Sequence, residues 1–486
     1  MSKKAKKIAN KIPFLKRQGN AVQLIVDGKP FLILGGELGN STASSVESIK
    51  SVWLKLKQKN LNTVLAPVYW DLIEPKEGKF DFKLVDALIA GAKKNNIRLV
   101  LLWFGSWKNS MSCYVPAWVK ADQKRFPRAR LENGQAVEIL SAFSKANLDA
   151  DVKAFATLMR YVRKEDGKKN TVIMVQVENE IGMLGGARDF CDEANKEFAK
   201  VREDDEIFMA RHYARYTNKV AAAGKAEYAL PMYVNAALNQ EGQKAGEYPS
   251  AGPLPHLFDV WREEAKQIDF LAPDIYHPVF EHWCEKYHKN DNPLFIPEAG
   301  RVDENAVKAF WAFGQHDAIG FSPFAIESQE STPGTVFSVY EILGQLMPLI
   351  LENQGKGAMA GVSLDKKNQT QKIKLGRYVL KVSHDYTFEW TPRPVGVENW
   401  PNAGGIIICT GTDEYIIGGS GLIVTFSANE DSKEIAGIAN IQEGKFVNER
   451  WVGGRWLNGD QSHQGRHLHL PGDKFGIQRI KIYNYQ

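Results

Sequence analysis

The stretch "TVIMVQVENE", residues 171–180, reads as a buried strand that ends in charge. Met174, Val175 and Val177 are apolar, yet the run closes on Glu178, Asn179 and Glu180. A carboxylate taken into a low-dielectric interior is strongly disfavoured unless it is paired. A strand built this way therefore opens into a polar pocket.

The same pattern recurs on both sides of it. "FLILGGEL" (31–38), "TVLAPVYW" (63–70), "IRLVLLWFG" (97–105), "PMYVNAA" (231–237), "IDFLAPDIY" (268–276), "NPLFIPEAG" (292–300) and "DAIGFSPFAIE" (317–327) are short apolar runs that end in polar or aromatic residues. Between them, segments such as "SVESIKSVWLKLKQKN" and "FKLVDALIAGAKKNN" place apolar residues at three- and four-residue steps, the mark of amphipathic helices. Strand followed by helix, eight times, predicts a (β/α)8 TIM barrel. Its active face is the C-terminal end of the strands, and those ends hold Glu37, Tyr69, Trp70, Trp103, Asn179, Glu180, Asn235, Tyr276, Glu298 and Glu327.

After "VYEILGQLMPLILENQ", the Gly-rich "GKGAMAGVS" marks a joint, and beyond it alternating runs broken by glycines predict an all-β sandwich. The expected organisation is a basic, disordered tail over 1–20, a catalytic barrel over 21–357 and a β-sandwich over 358–486. The chain of 486 residues is long enough for a large core, and it has no transmembrane run of about 18 apolar residues. The formal charge is +5, but residues 1–26 hold seven Lys or Arg and no acid, so the remainder sums to −2. The basicity belongs to a tail, which argues against a nucleic-acid surface. That tail lacks the apolar segment and cleavage site of a secretory signal. The chain as read is expected in the cytoplasm, or in the periplasm or outside the cell if a signal has been removed. Cys113, Cys191, Cys284 and Cys409 are too scattered for a metal or disulfide pattern and read as free, mostly buried thiols. No cofactor or metal is expected, and nothing in the sequence sets an oligomeric state.

Hydrolysis of a glycosidic bond with retention needs one carboxylic acid to protonate the leaving oxygen and a carboxylate about 5–5.5 Å away to attack the anomeric carbon. Glu180 and Glu298 end the fourth and seventh predicted strands, so barrel closure brings both to one mouth. Glu178 shares strand parity with Glu180 and is read as one layer deeper, in a hydrogen-bonded network. Glu327 is read as either a pocket acid or a polar strand end. His463, His467 and His469, in "HQGRHLHL", read as the exposed face of a strand rather than as a ligand set.

"VQVENE", "PVYWDLIEPKEGKFDF" and "LFIPEAG" resemble the signature segments of glycoside hydrolase family 35, the β-galactosidases of clan A. "LGGELGNSTASS", "LLWFGSWKNSMSCYVPAWVK", "GPLPHLFDVW" and "LAPDIYHP" resemble its bacterial branch, whose members carry a β-rich domain after the barrel. The resemblance implies Glu180 as acid/base, Glu298 as nucleophile and Asn179 as donor to the sugar 2-OH. It further implies that Tyr276 hydrogen-bonds Glu298 and that Glu37 and Tyr69 contact sugar hydroxyls; on the mechanism's own demands, Arg301 is a further candidate for keeping Glu298 ionised. Trp107, Trp103 and Trp70 offer flat faces for a pyranose or are simply core. Glu180 is expected to be held protonated and Glu298 ionised. The implied partner is a carbohydrate with a terminal β-galactose, as in polysaccharide degradation. Ile181 stands where many members have an aromatic and Gly39 where many have a histidine, which bears on sugar specificity. Another exo specificity (β-glucosidase, β-glucosaminidase or arabinosidase) and a non-catalytic carbohydrate-binding barrel are the alternatives.

Overall fold

A computed structural model describes residues 12–56, 58–300, 306–329, 335–389, 398, 400–428 and 433–486. Eight parallel strands form the centre: β1 (Ile33–Leu34), β2 (Thr63–Tyr69), β3 (Arg98–Lys108), β4 (Val172–Asn179), β5 (Met232–Ala237), β6 (Phe270–Ile275), β7 (Phe295–Ala299) and β8 (Gly320–Pro323). They pair in the order β1-β8-β7-β6-β5-β4-β3-β2. The ring closes where Glu37 bridges Leu65, through Leu38 N–H to Leu65 O at 3.0 Å and Leu65 N–H to Gly36 O at 2.9 Å. Every residue of β2, β4, β6 and β7 is buried, as expected of strands covered by helices outside and packed side chains inside.

The helices follow the predicted periodicity. Val46–Leu56 turns Ile49, Val52, Trp53 and Leu56 inward, and Lys83–Asn95 buries Val85, Leu88, Ile89 and Ala92. The longest two have side-chain caps on otherwise unpaired amides: Ser144 accepts from Asn147 N–H ahead of Lys145–Asp166, and Asp204 accepts from Glu206 and Ile207 N–H ahead of Asp205–Glu227. No described helix is long and apolar enough to cross a membrane.

The N-terminal segment differs from expectation. Residues 1–11 lie outside the described residues, but Phe14–Gln18 is not a tail: it pairs antiparallel with Ala21–Val26. Its basic residues point to solvent while the partner strand is buried, so the charge of the segment hid a strand. Two of the thiols, Cys191 and Cys284, are buried, whereas Cys113 is exposed and Cys409 half-buried; all four are free.

Beyond the helix Val336–Asn353 the chain forms a six-stranded and a four-stranded antiparallel sheet. Alternation divides their side chains between two cores. In Ala403–Gly411, Ile407 faces the four-stranded sheet, while Ile406 and Ile408 join the barrel core. The barrel helices Lys308–His316 and Val336–Asn353 cover that second face. Contact there is close enough that a Cβ on Gly314 would lie 2.6 Å from Gly361 N. The histidines depart from the exposed-strand reading: His467 is buried and lies edge-on to Phe388, His463 sits in a left-handed turn, and only His469 is in a strand. Trp456 is exposed, Trp400 and Trp451 are half-buried, and Trp390 lies outside the described residues.

Candidate active site

Four carboxyl side chains meet at the C-terminal mouth of the barrel. Glu37 follows β1, Glu180 follows β4, Asp274 belongs to β6 and Glu298 to β7. None is more than 5% exposed. One oxygen from each of Glu180, Asp274 and Glu298 lies within 4.8 Å of the others. Barrel closure thus joins residues separated by more than a hundred positions, as strand-end placement requires.

Such crowding raises proton affinity, because burial and like charge both disfavour a second anion. Burial, followed by the charge of Glu298, holds Glu37 well above the usual carboxylate range. Burial, followed by the charges of Glu298 and Glu180, does the same to Asp274. Glu298 was expected to be ionised, but burial and the charge of Glu180 push it up to about 7, against the lowering effects of Lys108, of the Tyr276 hydroxyl and of Glu37. Desolvation is the largest of these influences, and residue identity alone does not reveal it. Tyr276 does donate to Glu298 Oε1 as expected, with its ring half exposed. Arg301 lies outside the described residues.

The acids are held by amides. Asn235 accepts from Glu180 N–H at 3.0 Å through Oδ1 and donates to Asp274 Oδ2 at 2.5 Å through Nδ2, tying β5 to the backbone of Glu180 and to the carboxyl of Asp274. Asn109 donates to Glu180 Oε2, and Ser110 N–H donates to Glu180 O at 3.0 Å. These contacts require backbone turned out of the extended region: φ is 47° at Glu180, 49° at Asn109 and 65° at Ser110. Left-handed conformations cost non-glycine residues about 1–2 kcal/mol each, and such strain gathers at functional sites. Asn179 is fully buried with neither side-chain atom hydrogen-bonded.

Glu178 also has positive φ, 60°, so the strand alternation that would align it with Glu180 breaks there. It accepts from Trp107 N–H at 2.9 Å and lies beside Asp151 of Lys145–Asp166. Burial, then the Asp151 charge, keeps it well above the carboxylate range. Asp151 in turn accepts from Trp103 Nε1 at 2.9 Å and from the Ser106 hydroxyl at 2.5 Å. This pair lies behind β3 and holds the strand end that carries Lys108 and Asn109.

Several residues expected in the pocket are elsewhere. Trp103 and Trp107 have no exposed surface; Trp107 packs edge-on against Tyr213 and Tyr216, so neither offers an open face to a sugar. Trp70 is equally buried and donates to Glu74 Oε2 at 2.8 Å. The Tyr69 hydroxyl donates to Asn40 O at 2.7 Å and accepts from Ala43 N–H, which makes it a brace for the loop after β1. Glu327 accepts from Gly39 N–H at 3.0 Å and from the Thr42 hydroxyl, bracing the same loop. Asp274, Lys108 and Asn109 were missed. Asp274 carries the same signal as Glu180, an acid at the end of an apolar strand, whereas Lys108 and Asn109 lie past the apolar run because β3 extends three residues further than "IRLVLLWFG".

Among the described residues, Glu180, Asp274 and Glu298 are the one group of carboxylates close enough to share a cation. Asn235 and Tyr276 already engage an oxygen of Asp274 and of Glu298. The arrangement suits proton transfer beside a second, nearby carboxylate.

Comparison with known proteins bears on these features. The model of "Glycosyl hydrolases family 35" matches residues 23–314, and that of a "Domain of unknown function (DUF5597)" matches residues 336–469. A "Beta-galactosidase" of Xanthomonas manihotis is 28% identical over 205 residues, covering 40% of this chain and 28% of that protein. The human "Beta-galactosidase-1-like protein 3" is 30% identical over 162 residues, covering 32% of this chain and 23% of that protein. The matches therefore span about a quarter of these relatives' length. A β-galactosidase structure from the psychrophilic Marinomonas ef1 superposes with a TM-score of 0.50 at 11% identity, over 66% of this chain and 60% of that one, a likeness of fold alone.

Proposed function

The chain belongs to glycosyl hydrolases family 35, and from that premise we propose that it is a retaining, exo-acting hydrolase that releases terminal β-linked galactose from oligo- or polysaccharides by double displacement. The observation that carries the reading is the approach of Glu180 and Glu298 oxygens within 4.8 Å. Inverting enzymes leave about 6.5–9.5 Å between their carboxyls for a water, and retaining ones about 5–5.5 Å. The burial of every carboxyl in the cluster favours a closed pocket that takes one terminal residue rather than an open cleft.

In this reading Glu298 attacks the anomeric carbon while Glu180 protonates the departing oxygen. Tyr276 fixes the attacking carboxylate through Oε1. Asp274, whose proton affinity is raised by burial and by the charges of Glu298 and Glu180, favours a proton at the acid end of the pocket. Once Glu298 is esterified its charge is gone, and Glu180 then takes a proton from water, which hydrolyses the ester. The unpartnered Asn179 amide is available to the sugar 2-OH, a contact that strengthens as oxocarbenium character develops.

A panel of aryl β-glycosides, with proton NMR of the first-formed sugar, tests this. Preferred cleavage of the galactoside with the β anomer released first is expected. An α anomer at first turnover refutes retention, a preference for the glucoside, glucosaminide or arabinoside refutes the sugar assignment, and no hydrolysis of any glycoside refutes the enzyme.

A further inference from the structure

Lys108 closes β3, in register with Asn179 and so beside Glu180. It is 3% exposed, and its Nζ stands 5.1 Å from the centroid of the Phe104 ring. A buried ammonium ordinarily has a carboxylate or carbonyl partner, because losing its water is costly. Lys108 has none: among the described residues no acceptor bonds its Nζ, and no carboxylate oxygen lies within 4.0 Å of it. Its charge nevertheless acts on both Glu37 and Glu298. The ring of Phe104 offsets part of the desolvation but uses none of the three N–H donors.

Glu37 Oε1 is likewise buried without a hydrogen-bond partner, and a group that both accepts and donates satisfies an unpaired ammonium and an unpaired carboxyl oxygen together. A sugar hydroxyl is such a group: it accepts from Lys108 and donates to an oxygen of Glu37, completing both. Water satisfies the same two neighbours less selectively, since it is not fixed to a ring of set stereochemistry.

We propose that Lys108 is a specificity-determining residue of the sugar pocket, its ammonium donating to one ring hydroxyl, other than the 2-OH, that in turn donates to Glu37. The ligand it selects is a neutral pyranoside whose hydroxyl at that carbon spans the gap. This rests on the hydrolase reading above. The pocket then distinguishes sugars by which hydroxyl can bridge a cation on β3 and an acid after β1, two elements on opposite sides of β2.

The test compares wild type and Lys108→Met on an aryl β-galactoside and on its monodeoxy analogues at C3, C4 and C6. Methionine keeps the apolar stem and removes the charge and the donors. For wild type, one analogue should lose about 10- to 100-fold in kcat/KM, the range of a hydrogen bond to a charged group. Lys108→Met should lose a similar factor on the parent sugar and nothing further on that analogue, while the other analogues fall by the same ratio in both enzymes. Lys108→Arg, which keeps a donor, should retain discrimination against the same analogue, and it serves as the test if thermal melting shows the Met variant to be misfolded. A uniform loss on every sugar, which a countercharge alone would produce, overturns the inference, as does an unchanged parent rate. If wild type cleaves none of these sugars, the hydrolase reading falls first and this inference with it.

Discussion

Glu298→Gln should make the folded protein more stable, and the gain should depend on pH. The folded carboxyl is pushed to about 7 from an ordinary 4.5, chiefly by burial and by the charge of Glu180. Relative to a neutral amide, the acid costs nothing at a pH below its unfolded value, where both states are protonated. The cost grows between 4.5 and about 7 and is fully present above that. A shift of this size corresponds to about 3 kcal/mol, at about 1.4 kcal/mol for each pKa unit. The side chain is almost wholly buried, so solvent screening takes little from that figure. Glutamine is isosteric, and it can still accept from Tyr276. The expected gain is therefore about 3 kcal/mol at about pH 8 and about 1 kcal/mol at about pH 5. Scanning calorimetry of wild type and variant at the two pH values, at equal ionic strength, reads it as a melting-temperature difference several-fold larger at the alkaline one. A gain independent of pH, or a loss of stability at pH 8, refutes the argument that this carboxylate is held charged against its surroundings. The same variant should have no turnover with any leaving group, so stability and catalysis pull in opposite directions at one atom pair.

Tyr276→Phe removes a hydrogen bond that lowers Glu298, so the acid limb of the kcat/KM profile, expected near 7 because the attacking group must be ionised, should move to higher pH; an unmoved limb refutes the link. Glu180→Ala should cripple galactosides with alkyl leaving groups but spare the first step for activated aryl ones, with azide restoring turnover as a β-galactosyl azide identified by NMR; equal loss for both classes refutes the acid/base role. Trp107→Ala should cost about 3–5 kcal/mol in chemical denaturation, because the ring is fully buried between Tyr213 and Tyr216; a cost under about 1 kcal/mol would mean that the ring lies open to the pocket.

The barrel was legible because its signal is local and repeated. Each strand is a short apolar run, each helix carries a three- to four-residue period, and eight repetitions leave little choice of architecture. Glu180 and Glu298 were legible for a related reason: an acid at the end of a buried strand is conspicuous, and the motifs around both resemble one family. Phe14–Gln18 was hidden because its adjacent basic side chains, Lys16 and Arg17, continue the charge of the tail until Ala21–Val26 is seen to supply the buried partner. For Trp103, Trp107, Tyr69 and Glu327 the sequence did not separate a pocket role from contacts within the protein, since aromatics and acids at strand ends look alike whether they face the mouth, the helices or a neighbouring loop. What the amino-acid order alone determined was the eight-fold strand-helix repeat and that Glu37, Glu180 and Glu298 stand at the C-terminal ends of its strands. Which of those ends share a pocket, which acids pair with one another and which cation faces them was decided only by tertiary structure. The physical reason is that each depends on distances across the barrel and on left-handed residues such as Glu178, Glu180 and Asn109, whose conformation is imposed by contacts with other strands.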